Sequence, residues 1–317
     1  MLRLLVPLIA LLATLAAWTA PARAEPLEVV ATTGMVADVA RAVGGDEVEV
    51  RALMGPGIDP HAYRQTRSDI AAMLRADLVL WNGLFLEAQM EEFLERLGER
   101  VPVRAVAEAV PEADLVGHPD YAGRYDPHVW MDPALWTHAV DAVRDALVEL
   151  RPEAADVFAG NAEAYKERLA ALDDYTRKAI ASVPEGSRTL VTAHDAFGYF
   201  GRAYGLDVLG VQGISTQSEA GLQRIGELVD LIVERGIRAV FIESSVPERN
   251  VRALIEGAAA KGHEVAVGGE LYSDAMGPDG TYEGTYPGMI DHNATIIARA
   301  LGGDVPAEGM AGELATN

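Results

Sequence analysis

Between Pro152 and Val183, the residues Phe158, Ala162, Tyr165, Leu169, Leu172, Thr176 and Ala179 follow one another at alternating spacings of four and three. That alternation puts all seven on one face of an α-helix. At ~1.5 Å of rise per residue, some thirty helical residues span roughly 45 Å, more than a single small domain requires. Pro184-Glu185-Gly186 ends the pattern. The stretch reads as a rigid strut between two lobes.

On both sides of it the text alternates short β-rich runs with helical stretches, the pattern of βαβ units and a mostly parallel sheet. Before it, strands are expected at Leu27 to Thr33, Val48 to Leu53, Asp77 to Trp81 and Val101 to Val106. Helices are expected at Met35 to Val43, Ser68 to Arg75, Leu86 to Leu97 and Leu135 to Leu150. Residues 107–125 lack periodicity and read as a surface loop. After the strut, strands are expected at Thr189 to Thr192, Val208 to Gln212, Ala239 to Glu243 and Val265 to Val267. The helices between and after them are Ala196 to Tyr204, Leu222 to Glu234, Val251 to Ala260 and Gly288 to Leu301, with a glycine-rich loop over 268–287. The expected fold is therefore α/β: two similar lobes, each a mostly parallel four-stranded sheet with flanking helices, joined by one long helix. The expected segments are a signal peptide at 1–24, an N-terminal lobe at 25–151, the linking helix at 152–184 and a C-terminal lobe at 185–317. Half of the 317 residues are hydrophobic, enough for a sizeable core, and the length suits about two domains.

Arg3, the apolar run Leu4 to Ala17 and the small-x-small site Ala22-Arg23-Ala24 predict a cleaved leader and a mature chain from Glu25. No later run approaches the ~20 apolar residues of a membrane-spanning helix. The chain has no cysteine, which removes disulfides, thiolate metal sites and a lipidated cysteine anchor. A free periplasmic protein is expected. Loss of Arg3 and Arg23 would move the formal charge from −22 to −24, which argues against nucleic acid as a partner, since phosphate binding needs a basic face. An acidic surface mildly concentrates cations but selects no metal.

The candidate chemistry lies in loops. Asp126-Pro127-His128 presents an imidazole from a proline-stiffened approach, and Pro133 suits the first turn of the helix that follows. Alone, that stretch is equally a ligand or a packed turn against Trp130. His61, past the strand exit Met54 to Pro60, and His194, past Thr192, share the placement, and Asp274 occupies a comparable loop. Where thiolate is absent, imidazole and carboxylate are the usual ligands of first-row divalent metals, and a tetrahedral N3O shell suits Zn²⁺. His138, His263 and His292 lie on or at the ends of helices and read as structural, and His118 is isolated in its loop. Glu243, at a strand end, is either an acceptor that orients a ligand imidazole or a helix cap. Asp195 is either a similar acceptor or an acid in the first turn of a helix.

Five stretches in order carry a family resemblance: Gly57 to Tyr63, Asp126 to Asp132, Thr192 to Phe200, Phe241 to Ser245 and Gly268 to Gly277. Across essentially the whole mature chain, the sequence resembles the zinc- and manganese-specific substrate-binding proteins of ABC transporters, the TroA-like family. The resemblance implies two α/β lobes on one long helix with the metal in the cleft. By it the ligands are His61 and His128 from the first lobe, and His194 and Asp274 from the second. It further implies a monomer that delivers Zn²⁺ or Mn²⁺, as transported ligand, to a permease in the inner membrane. Some zinc-specific members carry a histidine-rich loop where this chain has only His118, and many manganese-specific members carry Glu where it has His194. Ligand softness favours Zn²⁺ over Mn²⁺.

The alternative is an exported zinc hydrolase, which needs an open metal position and a general base. The sequence has no HExxH, and Asp274 takes the fourth position. An adhesin role is disfavoured by the missing lipid anchor. The expected protein is not an enzyme.

Overall fold

The computed structural model describes residues 25–118 and 122–315, and the leader expected over 1–24 lies outside them. The first half contains β1 (Leu27–Ala31), α1 (Gly34–Gly44), β2 (Val48–Ala52), α2 (Arg67–Met73), β3 (Leu78–Trp81), α3 (Glu91–Leu97), β4 (Val103–Ala105) and α4 (Pro133–Leu150). Its four strands form one all-parallel sheet in the order β2-β1-β3-β4. Every residue of β3 is buried, as expected for a strand covered on both faces. Thr33 caps α1 by accepting the Val36 N–H, Thr66 and Asp69 form a capping box on α2, and Asp132 caps α4 ahead of Pro133.

Helix α5 (Ala155–Ala181) falls within the segment expected to link the lobes. All seven periodic residues, Phe158 through Ala179, are buried on it. It packs on α1 and α4 from the first half and on α6 and α9 from the second, so one continuous core runs along its stripe. The 27 residues give a helix of ~40 Å.

The second half contains β5 (Thr189–Thr192), α6 (Gly198–Tyr204), β6 (Asp207–Gly210), α7 (Leu222–Arg235), β7 (Ala239–Glu243), α8 (Arg249–Ala260), β8 (Ala266–Leu271) and α9 (Tyr286–Ala300). The pairs β5-β6 and β7-β8 are both parallel. Strands β5 and β7 pack beside each other, but among the described residues they share no ladder, so the sheet expected here as four-stranded is two parallel pairs.

Two local departures have identifiable causes. The helix expected from Leu86 begins only at Glu91, because the Glu87 carboxylate is buried and accepts the N–H groups of Asn82 and Gly83 and the Thr32 hydroxyl. The backbone around it is turned, with Leu84 and Phe85 at positive φ. Strand β8 continues to Leu271 through the glycines expected to begin a loop. A Cβ on Gly268 would stand 2.8 Å from the Phe241 ring, and one on Gly269 (φ 155°) would stand 2.5 Å from Ile296. Only glycine permits this approach, at the register shift between β7 and β8.

Candidate metal centre

Each of the four candidate ligands sits where regular structure has ended. His61 follows β2 on a stretch without helix or strand, and His128 precedes a single 3-10 turn, Val129–Met131. His194 lies two residues past β5, and Asp274 three residues past β8. This is the usual position for ligand contacts in open α/β sheets, beyond the carboxyl ends of the strands.

The structure brings all four together, with one candidate ligand atom from each lying within 4.8 Å of the others. His128 and His194 are fully buried, and His61 and Asp274 are 2% exposed. His128 Nε2 is 3.3 Å from Asp274 Oδ1, while His194 Nε2 is 3.2 Å and His61 Nε2 3.7 Å from Asp274 Oδ2. The Nε2 atoms of His61 and His128 face each other at 3.3 Å. His194 Nε2 and both oxygens of Asp274 are buried without an aligned hydrogen bond. Buried polar atoms are ordinarily satisfied, so a group of them converging on one point marks a place for a cation.

The far side of two of the rings is held by carboxylate. His128 Nδ1 donates to Asp126 Oδ1 at 2.6 Å, and His194 Nδ1 donates to Glu243 Oε2 at 2.5 Å. Each carboxylate also accepts the backbone N–H of the same histidine, at 3.0 Å and 2.9 Å. Committing the Nδ1 proton outward turns Nε2 toward the cluster, the arrangement that orients metal-ligating imidazoles. Of the two roles open for Glu243, the structure therefore shows the imidazole acceptor. Asp195 lies ahead of α6, with its N–H on the Gly213 carbonyl, so it is not in that helix's first turn.

The electrostatics divide the histidines. Burial drives His61 down to about 3, so its ring is neutral and its lone pair free. Burial also depresses His128, but Asp126 and Asp274 outweigh it and push the ring up to about 9. His194 is raised well above its usual value by Glu243 and Asp274 against the same burial penalty. Asp274, penalised by burial, is held well below the carboxylate range by His194, His128 and His61. Without metal, two imidazolium rings face one carboxylate. A divalent cation that displaces their two Nε2 protons leaves the charge of this buried group unchanged, which limits the cost of desolvating it.

Asp126 went unrecognised as a ring acceptor, although its signal is present in the sequence. The tripeptide Asp-Pro-His occurs twice, at 59–61 and 126–128, and in both places the aspartate accepts the histidine N–H two residues on. The other histidines are not members of the four-residue cluster, although the charge of His118 helps to lower His61. His263 and His292 donate through Nε2 to the carbonyls of Ile237 and Glu270, His138 is on α4, and the N–H of buried His118 binds the Arg124 carbonyl.

Residues 29–300 match the family of the periplasmic zinc-uptake complex component A, ZnuA. The chain is 51% identical over 278 residues to the manganese-binding lipoprotein MntA of Bacillus subtilis, covering 87% of this chain and 90% of MntA. It is 47% identical over 283 residues to the zinc-binding protein TroA of Treponema pallidum, covering 89% and 91%. The solved structure of the periplasmic zinc-binding TroA superposes with a TM-score of 0.85 at 46% identity, covering 87% of this chain and 99% of that one.

Proposed function

This chain belongs to the ZnuA family of substrate-binding proteins of metal ABC transporters, and from that premise we propose that His61, His128, His194 and Asp274 hold the transported ion. The observation that carries the ligand assignment is the convergence of the donor atoms. A tetrahedral ion with bonds of ~2.1 Å keeps its donors ~3.4 Å apart. The His61–His128 approach and those of the three rings to one or other oxygen of Asp274 run from 3.2 to 3.7 Å, and one donor from each residue lies within 4.8 Å of the rest. Three imidazoles and one carboxylate favour Zn²⁺, which also binds more tightly than Mn²⁺ to such donors. Asp274 turns both oxygens into the cluster, so a fifth contact is within reach and Mn²⁺ is the close second choice. The relatives, one named for manganese and one for zinc, support either ion.

The protein acts outside the cytoplasm, as members of this family do. We further propose that it is a periplasmic monomer, delivers its ion to a permease in the inner membrane, and consists of lobes 25–151 and 185–317 linked by 152–184. The Bacillus relative is named a lipoprotein. This chain has no cysteine to acylate, and on that ground we propose that it is not anchored. Recovery in the membrane fraction after osmotic shock would refute this. The hydrolase reading lacks support, since on this assignment Asp274 would take the position a catalytic zinc keeps for water, and all four donors are buried.

Elemental analysis of protein purified from its own compartment, with Zn²⁺ and Mn²⁺ competed by calorimetry, tests the reading. One ion per chain is expected, with Asp274→Ala and His194→Ala each abolishing tight binding. Recovery of neither metal, or full binding by both variants, would overturn it.

A further inference from the structure

The four candidate ligands are not held alike. The ring partners of His128 and His194 come from their own halves of the molecule and are buried. Asp274 lies in a pinned loop. The preceding Ser273 carbonyl accepts from Trp130 Nε1 at 3.0 Å, and Asn293 bonds both the N–H and the carbonyl of Tyr272. His61 is on an irregular surface stretch, and its peptide groups are held differently. Its N–H donates to Asp59 Oδ1 at 2.8 Å, and its carbonyl accepts Gln217 Nε2 at 2.8 Å. Thr216 Oγ1 donates to the second oxygen of Asp59 at 2.6 Å.

Thr216 and Gln217 belong to the other half of the molecule, on the strap 213–221 between β6 and α7. Gln217 also accepts from Gln89 Nε2 at 3.2 Å, so its amide is used at both ends across the gap. The strap is anchored within its own half. Ile214 is buried, Gln212 Nε2 donates to the Ser218 carbonyl at 3.0 Å, and Glu219 pairs with Arg249. A cavity of about 210 Å³, lined by Asp59, Gln212, Thr216, Gln217, Pro247 and Asn250, adjoins the contact. Gln217 itself is exposed.

We propose that Thr216 and Gln217 are positioning residues that keep His61 in place only while the two halves are closed, so that His61 is the first ligand to leave when the ion is released. This rests on the reading of the four-residue cluster as the ion site. The strap touches no donor atom of the site and acts through Asp59 and the His61 peptide. The strap bonds are part-buried and can be exchanged for water as the halves part, whereas the buried partners of His128 and His194 have no such substitute. Parting of the halves therefore loosens His61 before the other two rings. A partner protein that engages the exposed strap can promote that step without entering the cleft.

The test is the Zn²⁺ off-rate of the full chain, followed by stopped flow against an excess of chromophoric chelator. Thr216→Val/Gln217→Ala should release Zn²⁺ about 25-fold faster while still binding one ion per chain, because each of the two hydrogen bonds lost is worth about fivefold in an equilibrium. Thr216→Ser should stay within about twofold of the parent. If the double variant fails to fold, Gln217→Ala alone, at an exposed position, carries the same expectation at about fivefold. In a His61→Ala background the strap substitutions should change the off-rate less than twofold. An unchanged off-rate in the strap variants overturns the proposal. Equal acceleration with and without His61 also overturns it, since the strap would then be acting on the whole cleft. Failure of the parent to bind Zn²⁺ would instead refute the underlying site.

Discussion

Replacing Glu243 by glutamine isolates what a carboxylate behind a candidate ligand ring contributes. Glu243 accepts two hydrogen bonds from one residue, His194 N–H at 2.9 Å and Nδ1–H at 2.5 Å, and it is buried. Glutamine keeps one oxygen for one of these donors and turns its NH₂ group against the other. The variant therefore loses a charge-assisted bond and leaves a buried donor unmatched, a cost to folding of about 1–3 kcal/mol. On the proposed site an ion would feel the change only through the orientation and basicity of the His194 ring, for which about 10- to 100-fold weaker binding is expected, or ~1.4–2.8 kcal/mol. A second consequence separates this mechanism from general damage. Glu243, together with Asp274, also holds His194 above its usual pKa in the metal-free protein, so removing the Glu243 charge lowers the ring and reduces the proton release that binding requires there. Calorimetry in buffers of differing ionisation enthalpy should show fewer protons released per ion near neutral pH. The affinity gap between parent and variant should narrow as the pH falls. A folded variant with parental affinity and parental proton release would refute the reasoning.

Other outcomes follow from the same geometry. Asp126→Asn should weaken binding by about the same 10- to 100-fold, because Asp126 stands to His128 as Glu243 does to His194; titration against a competing chelator measures it. In the metal-free protein, His128 is raised from 6.5 to about 9, so its contribution to stability is complete below about 6.5 and is lost as the pH rises through about 9. Urea unfolding of the stripped protein should show this decline, and an unchanged midpoint across that window would count against the assignment. Free Zn²⁺ at 100 times its dissociation constant should stabilise the protein by about 2.7 kcal/mol over the stripped form, read as a shift in the urea midpoint. Leu172→Ala, on the buried stripe of α5, should cost about 2–5 kcal/mol without changing affinity in the folded fraction. Small-angle scattering of loaded and stripped protein should show only a small change, because α5 packs on both halves; a wide opening would contradict the rigid link.

Much of this molecule is written locally. The stripe on α5 was legible because a helix repeats every 3.6 residues whatever it later packs against, and all seven periodic positions are buried. Strands β5 and β7 fall at the ends read from their β-rich runs. The start of α3 was misplaced because Glu87, an ordinary helix former by type, turns inward to hold Asn82, Gly83 and Thr32, the last of these 55 residues away. The glycines of β8 carry a local loop signal because the side chains they make room for, Phe241 and Ile296, are distant in the chain.

By itself, the sequence determined which residues could serve as ligands and where regular structure must stop to present them. Residue chemistry and strand-end position are properties of a few neighbouring residues. Asp126 behind His128 is already written in the Asp-Pro-His tripeptide, but only the tertiary structure decided what stands behind the other candidate rings: Glu243 for His194 across 49 residues, and Thr216 on the Asp59 that holds His61 across 157. Such pairings depend on how far two segments are separated after the whole core along α5 has closed. No local period or propensity records that separation.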